Sequence, residues 1–526
     1  MDTKALRQKI LDLAIRGQLV PQDPNDEPAS VLLDRIRAEK QKMVKEGKLK
    51  AKDIKNDSVI FVGEDNLHYE KFANGSVRCI EDEIPFDLPE GWAWSRIKNI
   101  ASIGTGATPL KSNTEYYVGG KISWITSAAT CDNIIKSATD YITELAVQET
   151  NCQIYPVGTL VVAMYGEGKT RGQISELGIA ACTNQACAAI QVWGGNAGVS
   201  QLVKMFFSYN YENIRMKAKG GQQPNLNQSI IAETLIPIPP ENEIMRLLDF
   251  SHTCLNEIQV ITENKERTFQ LANQARTKIL DLAIRGKLVP QDPNDEPASV
   301  LLERIRAEKE ELIKQGKIKR DKKESVIFRG EDNSYYEKID GKVLCIDDNI
   351  PFEIPESWAW CRGYSCFEGM TSIKPQGEFF DYIDIDAIDN RNHCIKEAKR
   401  LPVSKTPSRA SRAVKSGSVL FSLVRPYLEN IALVEEEHSH CIASTGFYIC
   451  NSNGVFLPEF MFFLMVSRYV VNGLNQYMKG DNSPSISKDN IENWLYPVPP
   501  LEEQKTICFK LKDAFSAIER MEKSLS

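Results

Sequence analysis

The clearest pattern of apolar and polar positions runs from Glu241 to Arg285, a stretch without glycine or proline. Apolar residues recur there at steps of three and four, the spacing of one face of an α-helix. They are Ile244, Leu247, Leu248, Leu255, Ile258, Ile261, Phe269, Ala272, Ala275, Ile279 and Leu282. This narrow stripe predicts a coiled-coil helix about 65 Å long. Gly286 and then Pro290 are expected to end it.

Parts of this helix recur at both ends of the chain. Arg276–Lys309 repeats Arg7–Lys40, and we refer to the two copies as the repeated segment. The copies differ at three of 34 positions: Gln8/Thr277, Gln18/Lys287 and Asp34/Glu303. The apolar positions of 507–521 match those of 247–261. If both end pieces pack antiparallel against the central helix, the chain ends meet and an approximate two-fold axis results.

Each copy of the repeated segment continues into a second amphipathic pattern. In the first copy Asn25 or Asp26 is expected to cap this helix, with Pro28 in its first turn. Basic tails follow at 45–55 and 314–323. They are either solvated helix ends or phosphate contacts.

Matching β-hairpins are predicted next, at Asn74-Gly75 and Asp340-Gly341, because both dipeptides accept positive φ at the two corners of a tight turn. Each hairpin leads into a tryptophan pair, Trp92/Trp94 or Trp358/Trp360. We interpret these pairs as sealing the entry to a globular module, with base stacking as the alternative.

The modules themselves combine strands and helices. Runs 158–164 and 417–423 predict equivalent buried strands, and each module closes with a strand before a double proline. The expected fold class is α+β: two mixed α/β modules separated by a long antiparallel helical coiled coil, with an internal pseudo-two-fold repeat. The expected division has five parts: 1–57 (split helix, amphipathic helix and linker), 58–240 (hairpin and first module), 241–324 (central helix and second amphipathic helix), 325–500 (hairpin and second module) and 501–526 (terminal helix).

Length and composition favour a protein of two or three domains in the cytoplasm. The 526 residues contain no apolar run of membrane length, and the amino terminus lacks the apolar core of a signal peptide. Thirteen cysteines occur singly, which favours reduced thiols over a disulfide framework. The net charge of −7 argues against a general binder of polyanions.

Several motifs match catalytic or metal sites only in part. The 168–170 sequence lacks the first glycine of a phosphate-binding loop, and 104–106 lacks the third glycine of a dinucleotide loop. Two sets stay open as a nuclease-like and a zinc-like alternative: Asp384, Glu397 and Lys399, and His438, His440 and Cys441. With no convincing nucleophile, base or cofactor-binding loop, the chain is predicted to be non-catalytic.

One segment, 398–428, is basic and contains no acidic residue. Its cations are Lys399, Arg400, Lys405, Arg409, Arg412, Lys415 and Arg425, with Ser404, Ser408 and Ser411 between them. Such residues supply charges and neutral donors to phosphates. A solvated cationic surface is the alternative.

The first module has a sparser basic set. It consists of Lys169, Arg171, Lys204, Arg215, Lys217 and Lys219. Polar loops with glycine lie near both sets, at 219–225 and 479–483. Side chains suited to reading base edges are Gln222, Gln223 and Asn225 in the first loop and Lys479 and Asn482 in the second.

Taken together, these segments resemble the specificity subunits of type I restriction-modification enzymes. Residues 103–130 are similar to that family's opening pattern of a Gly-Thr-Pro loop, paired aromatics and a Gly-Gly-x-x-x-Trp strand. Segments 382–390, 407–432 and 444–449 are similar to another common class of its recognition domains. Gly369–Ser372 stands where the second module would carry the Gly-Thr-Pro loop.

The resemblance implies that each module is a target recognition domain for one half of a bipartite site in double-stranded DNA. The repeated segments would bind two copies of a methyltransferase subunit, and a restriction/translocase subunit would complete the complex. No cofactor is expected on this chain: S-adenosylmethionine belongs to the methyltransferase, and ATP and Mg²⁺ to the restriction subunit. No membrane partner is expected. The alternative is a coiled-coil scaffold that joins two protein partners without binding DNA.

The candidate DNA-binding residues follow from this resemblance and from the basic and polar loops. In the first module they are Thr105, Thr108, Lys111, Tyr116, Tyr117, Lys169, Arg171, Lys219, Gln222, Gln223 and Asn225. In the second module they are Ser372, Lys374, Lys405, Ser408, Arg409, Arg412, Arg425, Lys479 and Asn482.

Overall fold

The computed structural model describes residues 2–51, 54–166, 169–218, 225–318, 320 and 323–525. The chain forms two compact units, Met1–Asn264 and Lys265–Ser526, and each contains both helices and sheets. One helix, α8, begins in the first unit and ends in the second.

The helices up to α8 are α1 (Thr3–Ile15), α2 (Ala29–Lys45), α3 (Ile97–Ile100), α4 (Glu144–Glu149), α5 (Ala197–Tyr209), α6 (Tyr211–Met216), α7 (Gln228–Ala232) and α8 (Glu241–Ile284). The strands of the first unit are β1 (Ser58–Val62), β2 (His68–Phe72), β3 (Val77–Cys79), β4 (Ala93–Arg96), β5 (Ala101–Thr105), β6 (Ile122–Ile125), β7 (Ile134–Ile135), β8 (Asp140–Ile142), β9 (Leu160–Ala163), β10 (Ile174–Leu177), β11 (Cys182–Thr183), β12 (Cys187–Val192) and β13 (Leu235–Ile238). They form sheets with the orders β1-β2-β3, β5-β12-β9-β10-β7, β11-β6-β8 and β13-β4.

The helices of the second unit after α8 are α9 (Ala298–Lys314), α10 (Gly363–Cys366), α11 (Pro458–Met465), α12 (Arg468–Asn475), α13 (Lys488–Asn493) and α14 (Leu501–Leu525). Its strands are β14 (Ser325–Arg329), β15 (Tyr335–Ile339), β16 (Lys342–Cys345), β17 (Ala359–Arg362), β18 (Phe379–Ile383), β19 (Ile388–Asp389), β20 (Cys394–Ile395), β21 (Lys399–Pro402), β22 (Ala410–Ala413), β23 (Val419–Ser422), β24 (Ile431–Leu433), β25 (Ile442–Ser444), β26 (Phe447–Cys450) and β27 (Leu495–Val498). The sheet orders are β14-β15-β16, β17-β27, β21-β18-β25-β22, β19-β20 and β24-β23-β26.

The predicted long helix is confirmed as α8, and its stop at Gly286 is the same as the stop of α1 at Gly17. Both glycines have positive φ, +67° and +66°. In each case the two residues after the helix donate backbone hydrogen bonds into its last turn. A Cβ at Gly17 would lie 2.6 Å from Cγ of Pro89, and one at Gly286 would lie 2.4 Å from Cγ of Pro355. Conformation and space therefore both require glycine there.

The second helix of the repeated segment begins later than predicted. Pro28 occupies the N-cap position and α2 starts at Ala29, so the predicted cap at Asn25 or Asp26 is wrong. Asp26 instead accepts hydrogen bonds from Arg246 (2.5 Å) and Asn242 (3.2 Å) of α8. Its carboxylate therefore holds the turn against α8 rather than capping α2.

Within each unit, the terminal helix shares a core with its part of α8. In the first unit Leu11 and Ile15 of α1 are buried in one cluster with Leu247. In the second unit Ile507 of α14 is buried with Ile284, and burial of such apolar surface stabilises both pairs. Arg276 of α8 also makes two hydrogen bonds to Glu522 of α14, at 2.5 and 2.8 Å.

The two hairpins differ in their turns. Asp340 and Gly341 both have positive φ (+47° and +80°), as predicted for a two-residue loop. In the first hairpin β2 ends at Phe72 and β3 starts at Val77, and only Gly75 of the Asn-Gly pair has positive φ. The predicted turn with positive φ at both residues is wrong for the first hairpin. Its loop is longer, and Gly75 occupies the one position there with positive φ.

The tryptophan pairs seal the modules, as the sequence indicates. All four indole side chains are buried. Trp92 Nε1 donates to Glu243 at 3.1 Å, and Trp358 Nε1 donates to Glu503 at 2.8 Å. Burial raises the pKa of both of these carboxyl groups. Buried rings of this kind are not available for stacking on bases.

Candidate nucleic-acid interface

Three loops of the first unit meet at one end of its five-stranded sheet. Ala188 of β12 lies opposite Thr105 of β5 and Val162 of β9, and Cys187 lies opposite Ala163. The chain leaving β5, the chain leaving β9 and the turn before β12 are therefore side by side. We refer to residues 105–111, 164–166, 169–172, 184–186 and 225–226 as the first loop edge.

Main-chain hydrogen bonds anchor the first loop edge. Met164 N donates to Ala186 O at 2.8 Å, and Leu226 N donates to Met164 O at 3.1 Å. The second bond brings Asn225 beside the loop that carries Lys169 and Arg171. Three candidate residues from distant parts of the sequence are thus brought together.

The Gly-Thr-Pro loop lies directly on the turn before β12. Thr105 Oγ1 donates to Cys187 O at 2.8 Å, and Thr108 Oγ1 donates to the side-chain oxygen of Gln185. A Cβ at Gly106 would lie 1.5 Å from Thr183 O, so only glycine permits this approach. Gln185 is exposed beside Thr108. It was not predicted, because only the strand pairing brings it to this edge.

The paired tyrosines of the first module have internal partners. Tyr116 donates its hydroxyl to Glu149 at 3.0 Å, and Tyr117 donates to Pro109 O at 2.5 Å. Both rings pack partly buried against a small core that includes Trp124. Tyr117 therefore holds the opening loop in place, while Lys111 in that loop is exposed.

The second unit has a corresponding loop edge, which we define as residues 408–410, 423–430, 445–446 and 479–486. Leu423 N donates to Gly446 O at 2.8 Å, and Ile486 N donates to Leu423 O at 2.9 Å. These bonds match those of Met164 with Ala186 and Leu226 in the first unit. Thr445 N also donates to Arg409 O at 2.8 Å, so Arg409 belongs to the second loop edge.

Arg425 joins two parts of the second loop edge. Its side chain donates to Asn482 O at 3.0 Å and its backbone N donates to Pro484 O at 2.7 Å. Lys479 and Ser485 exchange two backbone hydrogen bonds in the same loop. Arg425 has φ +48°, a conformation that costs free energy for any residue other than glycine. The structure thus brings together three of the predicted residues: Arg425, Lys479 and Asn482.

Arg412 lies on the neighbouring sheet, beside Ser372. These two residues form an antiparallel bridge, and the register of β22 shifts between Ala410 and Arg412. A bulge of this kind redirects the side chains that follow it. Arg412 Nε is buried and has no hydrogen-bond partner within the described part of the chain. Lys374, Lys405 and Ser408 are exposed.

Several lysines of the two basic sets are held by acidic neighbours. Lys399 lies 2.6 Å from Asp386, and the hydrogen bond that it donates to that carboxylate raises the pKa of the lysine. Lys415 lies 2.8 Å from Glu368. Buried Lys204 lies 3.2 Å from Glu176 and is not part of a basic surface.

Neither alternative site receives geometric support. Lys399 contacts Asp386, whereas the Asp384 side chain accepts from Ile385 N at 2.9 Å in its own turn. His440 donates to or accepts from Asp381 at 2.9 Å. Across the residues that the structure describes, no three His, Cys, Asp or Glu side chains are grouped to hold a metal ion. In the same residues, no helix is long and apolar enough to cross a membrane.

Some predicted positions lie outside the described residues. They are Lys219, Gln222 and Gln223 of the first polar loop, Gly168 of the 168–170 motif, and residues 52–53, 319 and 321–322 of the basic tails.

Comparison with known proteins gives a consistent result. Residues 89–267 match the family model described as the type I restriction modification DNA specificity domain. The EcoAI and EcoEI type I restriction enzyme specificity subunits of Escherichia coli are each 26% identical to this chain. These alignments cover 98% and 99% of this chain and 90% of each relative. The MjaIX specificity subunit of Methanocaldococcus jannaschii is 30% identical over 34% of this chain and 40% of its own length.

Two solved structures are also similar to parts of this chain. The HsdS subunit from Thermoanaerobacter tengcongensis is 34% identical over 33% of this chain and 46% of that chain, with a TM-score of 0.31. The type I restriction-modification S subunit from M. genitalium is 14% identical over 84% of this chain and 95% of that chain, with a TM-score of 0.30. Superposition at these TM-scores adds nothing to the sequence matches.

Proposed function

We propose that this chain is a specificity subunit of a type I restriction enzyme and that its two loop edges read the two halves of a bipartite DNA site. A specificity subunit is not itself an enzyme. In this proposal the first loop edge reads one half-site and the second loop edge reads the other. The DNA-binding residues are those predicted from the sequence, with Gln185 added to the first loop edge.

One observation supports this proposal most strongly. Matched main-chain hydrogen bonds anchor both loop edges, at Met164 and at Leu423, but the side chains on the two edges differ. A constant backbone with variable side chains suits two readers of unlike sequences, since base edges are distinguished by side-chain donors and acceptors. The first edge includes Thr105, Thr108 and Gln185, and the second includes Arg409 and Arg425.

We further propose that α8 sets the distance between the half-sites. The 44 residues of α8 extend about 66 Å. One turn of B-DNA advances about 34 to 36 Å, so this length suits major-groove faces one or two turns apart. The contact of Arg276 with Glu522 and that of Gln291 with Glu503 support antiparallel pairing of α14 with α8. We propose the corresponding pairing for α1, which gives the pseudo-two-fold repeat and the five-part domain division predicted above.

The remaining partners follow from the family. Two methyltransferase subunits would bind the two repeated segments and carry S-adenosylmethionine, and the restriction/translocase subunit would carry ATP and Mg²⁺. The negative net charge of this chain is compatible with DNA binding because the partners would supply positive surface around the duplex. We place the assembled complex in the cytoplasm, with its DNA.

The first experiment measures DNA binding by the chain together with its methyltransferase partner over a range of salt concentrations. Each phosphate contact contributes a slope of about −0.9 to the log–log plot of affinity against salt. We expect Arg409→Ala to make this slope shallower by about 0.9 and to slow methylation through the second half-site. Lys399→Ala is the matched control, because Asp386 already neutralises Lys399. Equal slopes for both variants, or binding indifferent to salt and sequence, would favour the scaffold alternative.

The second experiment tests the spacing. Four residues inserted after Thr262 should lengthen α8 by about 6 Å and alter the spacer between the methylated half-sites. Sequencing of methylated bases in cells that express the variant reads out this spacer. An unchanged spacer in an active variant would refute the role of α8 as a ruler.

A further inference from the structure

The three-stranded hairpin sheet of each unit has one face exposed to solvent. In the first unit Phe61 pairs with Tyr69, and Lys71 pairs with both Val59 and Val77, so these side chains share a face. Phe61 is 41% exposed. We define the outer faces as Val59, Phe61, Tyr69, Lys71, Val77 and Cys79 in the first unit, and as Val326, Phe328, Tyr336, Lys338, Val343 and Cys345 in the second.

The opposite face of each hairpin sheet packs inward. Ser58 and Glu70 are buried there, and Glu70 accepts two hydrogen bonds from Arg96 of β4. Glu337 and Arg362 of β17 form the same pair in the second unit. The outer faces therefore contribute little to holding the hairpins on their units.

The outer faces are nevertheless the better preserved of the two. All six outer-face residues are identical between the two hairpins. The inward faces differ at four pairs: Val62/Arg329, His68/Tyr335, Phe72/Ile339 and Arg78/Leu344. Packing within each unit accounts for the buried inward pairs Ser58/Ser325 and Glu70/Glu337, which are unchanged, but not for the identity of the largely exposed outer faces. A constraint from outside the chain, equal for both hairpins, explains the identity.

The shapes of the outer faces are also the same. The rings of Phe61 and Tyr69 stack with centroids 5.9 Å apart, and those of Phe328 and Tyr336 stack at 5.9 Å. An aromatic pair with an exposed phenylalanine and a half-buried tyrosine, set among valines, is typical of a protein interface and unsuited to DNA, which requires several cations. Lys71 lies at the centre of this surface, and no ion pair is found for it or for Lys338 in the described residues.

We propose that the two outer faces are the docking surfaces for the two methyltransferase subunits, one subunit on each face. This inference rests on the proposed function and adds, for each methyltransferase subunit, a second surface on the hairpin that follows the repeated segment. Two identical surfaces fit two copies of one partner, whereas the unlike loop edges fit unlike DNA half-sites. The partner would present an apolar patch with a carboxylate opposite Lys71 or Lys338, since opposite charges across an interface favour one orientation.

Four exposed cysteines of the unmodified chain report which surfaces a bound partner covers. Cys79 and Cys345 are exposed on the outer faces, and Cys131 and Cys394 are exposed elsewhere. We expect the methyltransferase subunit, in the absence of DNA, to slow alkylation of Cys79 and Cys345 by iodoacetamide roughly tenfold or more, since buried interface cores exclude solvent. Cys131 and Cys394 should keep their rates within about twofold, because no interface is proposed over them. Peptide mass spectrometry measures all four rates in one sample.

Substitutions test the same surface by stoichiometry. Phe61→Lys should remove one methyltransferase per chain, and Phe328→Lys the other, each by weakening its site roughly tenfold or more. The variant with both changes should bind neither subunit. Val157→Lys is the matched control, because Val157 is an exposed apolar residue (63%) away from both hairpins. Mass photometry counts the bound subunits, and circular dichroism checks the fold of each variant.

The possible failures are distinguishable. A chain that binds two methyltransferases while Cys79 and Cys345 stay reactive overturns the docking surface but leaves the proposed function standing. A chain that recruits no methyltransferase overturns both. Protection of the two cysteines without partner, rising with concentration of the chain, identifies self-association as the occupant and also overturns the proposal.

Discussion

A buried arginine–glutamate pair occupies the same position in both units, but its surroundings differ. In the first unit Glu70 accepts two hydrogen bonds from Arg96, at 2.8 and 2.9 Å. In the second unit Glu337 accepts two from Arg362, at 2.8 and 3.0 Å. Both geometries are bidentate, which is the strongest arrangement of these two groups.

The outer members of the first cluster are absent from the second. Arg78 bonds both Glu70 and Glu83 in the first unit, and its side chain is 54% exposed. Leu344 and Asn349 stand at the corresponding positions of the second unit. Uncharged residues therefore replace both members of the Arg78–Glu83 pair there. A buried charge must keep its partner, whereas a half-exposed pair adds little. The comparison indicates that folding requires the buried arginine–glutamate pair and tolerates the loss of the half-exposed Arg78–Glu83 pair.

The largest effect should come from breaking the buried pair. We expect Arg96→Ala to lower the free energy of unfolding of the first unit by about 3 to 5 kcal/mol, because Glu70 is left charged and buried. Arg362→Ala should do the same in the second unit. Urea unfolding followed by hydrogen exchange of the β2 and β15 amides assigns each loss to its unit. Arg78→Ala serves as the control, and equal losses for Arg78→Ala and Arg96→Ala would contradict the distinction.

A second test compares the free-energy cost of replacing a glycine that ends a helix with the cost of breaking a buried ion pair. Gly17→Ala should cost about 2 to 3 kcal/mol, since it adds both left-handed strain and a clash with Pro89. Gly47 also has positive φ, +70°, but a Cβ there would meet nothing within 4 Å. Gly47→Ala should therefore cost only about 1 kcal/mol. Thermal unfolding of the two variants measures the difference, and equal shifts would exclude a contribution from Pro89.

Acid should affect the first cluster through Glu70. Burial by itself would raise the pKa of Glu70, but hydrogen bonds from Arg96 and Ser58 outweigh it and lower the pKa to about 2. Because the folded value lies below the unfolded value, the stabilisation is complete above about pH 4.5 and is lost as the pH falls toward 2. We expect a loss of about 2 kcal/mol over this range, allowing for screening at exposed Arg78. Unfolding measured from pH 7 to pH 2.5 should show it, and Glu70→Gln should remove this part of the pH dependence.

The smallest effect should come from converting the first cluster into the second. Arg78→Leu with Glu83→Asn should change the free energy of unfolding by less than about 1 kcal/mol. Each single variant should also cost little, because Glu83 keeps its hydrogen bond from Arg96 and Arg78 keeps its ion pair with Glu70. A double-mutant cycle by urea unfolding tests this, and additive losses would show that the two charges act independently.

The sequence predicts the helical part of the fold because local rules govern it. The α8 helix follows from apolar spacing and from the absence of glycine and proline before Gly286. The start of α2 does not follow from such rules, because Asp26 is held by Arg246 in a contact 220 residues away in the chain. A long-range partner of this kind competes with helix capping and leaves no local signal.

The candidate DNA-binding residues show the same limit. Their types are evident from charge and composition, but their neighbours depend on strand order. Gln185 lies beside Thr108 only because β12 pairs with both β5 and β9. The nuclease-like set fails for a related reason: Lys399 reaches Asp386 and not Asp384, which sequence spacing does not distinguish.

The anchoring bonds at Met164 and Leu423 join backbone atoms only, and this bears on how such a protein changes over generations. Replacement of an exposed loop side chain such as that of Lys111 leaves these bonds intact. If the loop edges read DNA as proposed, the recognised sequence changes by point mutation while the backbone bonds that hold the loops stay in place.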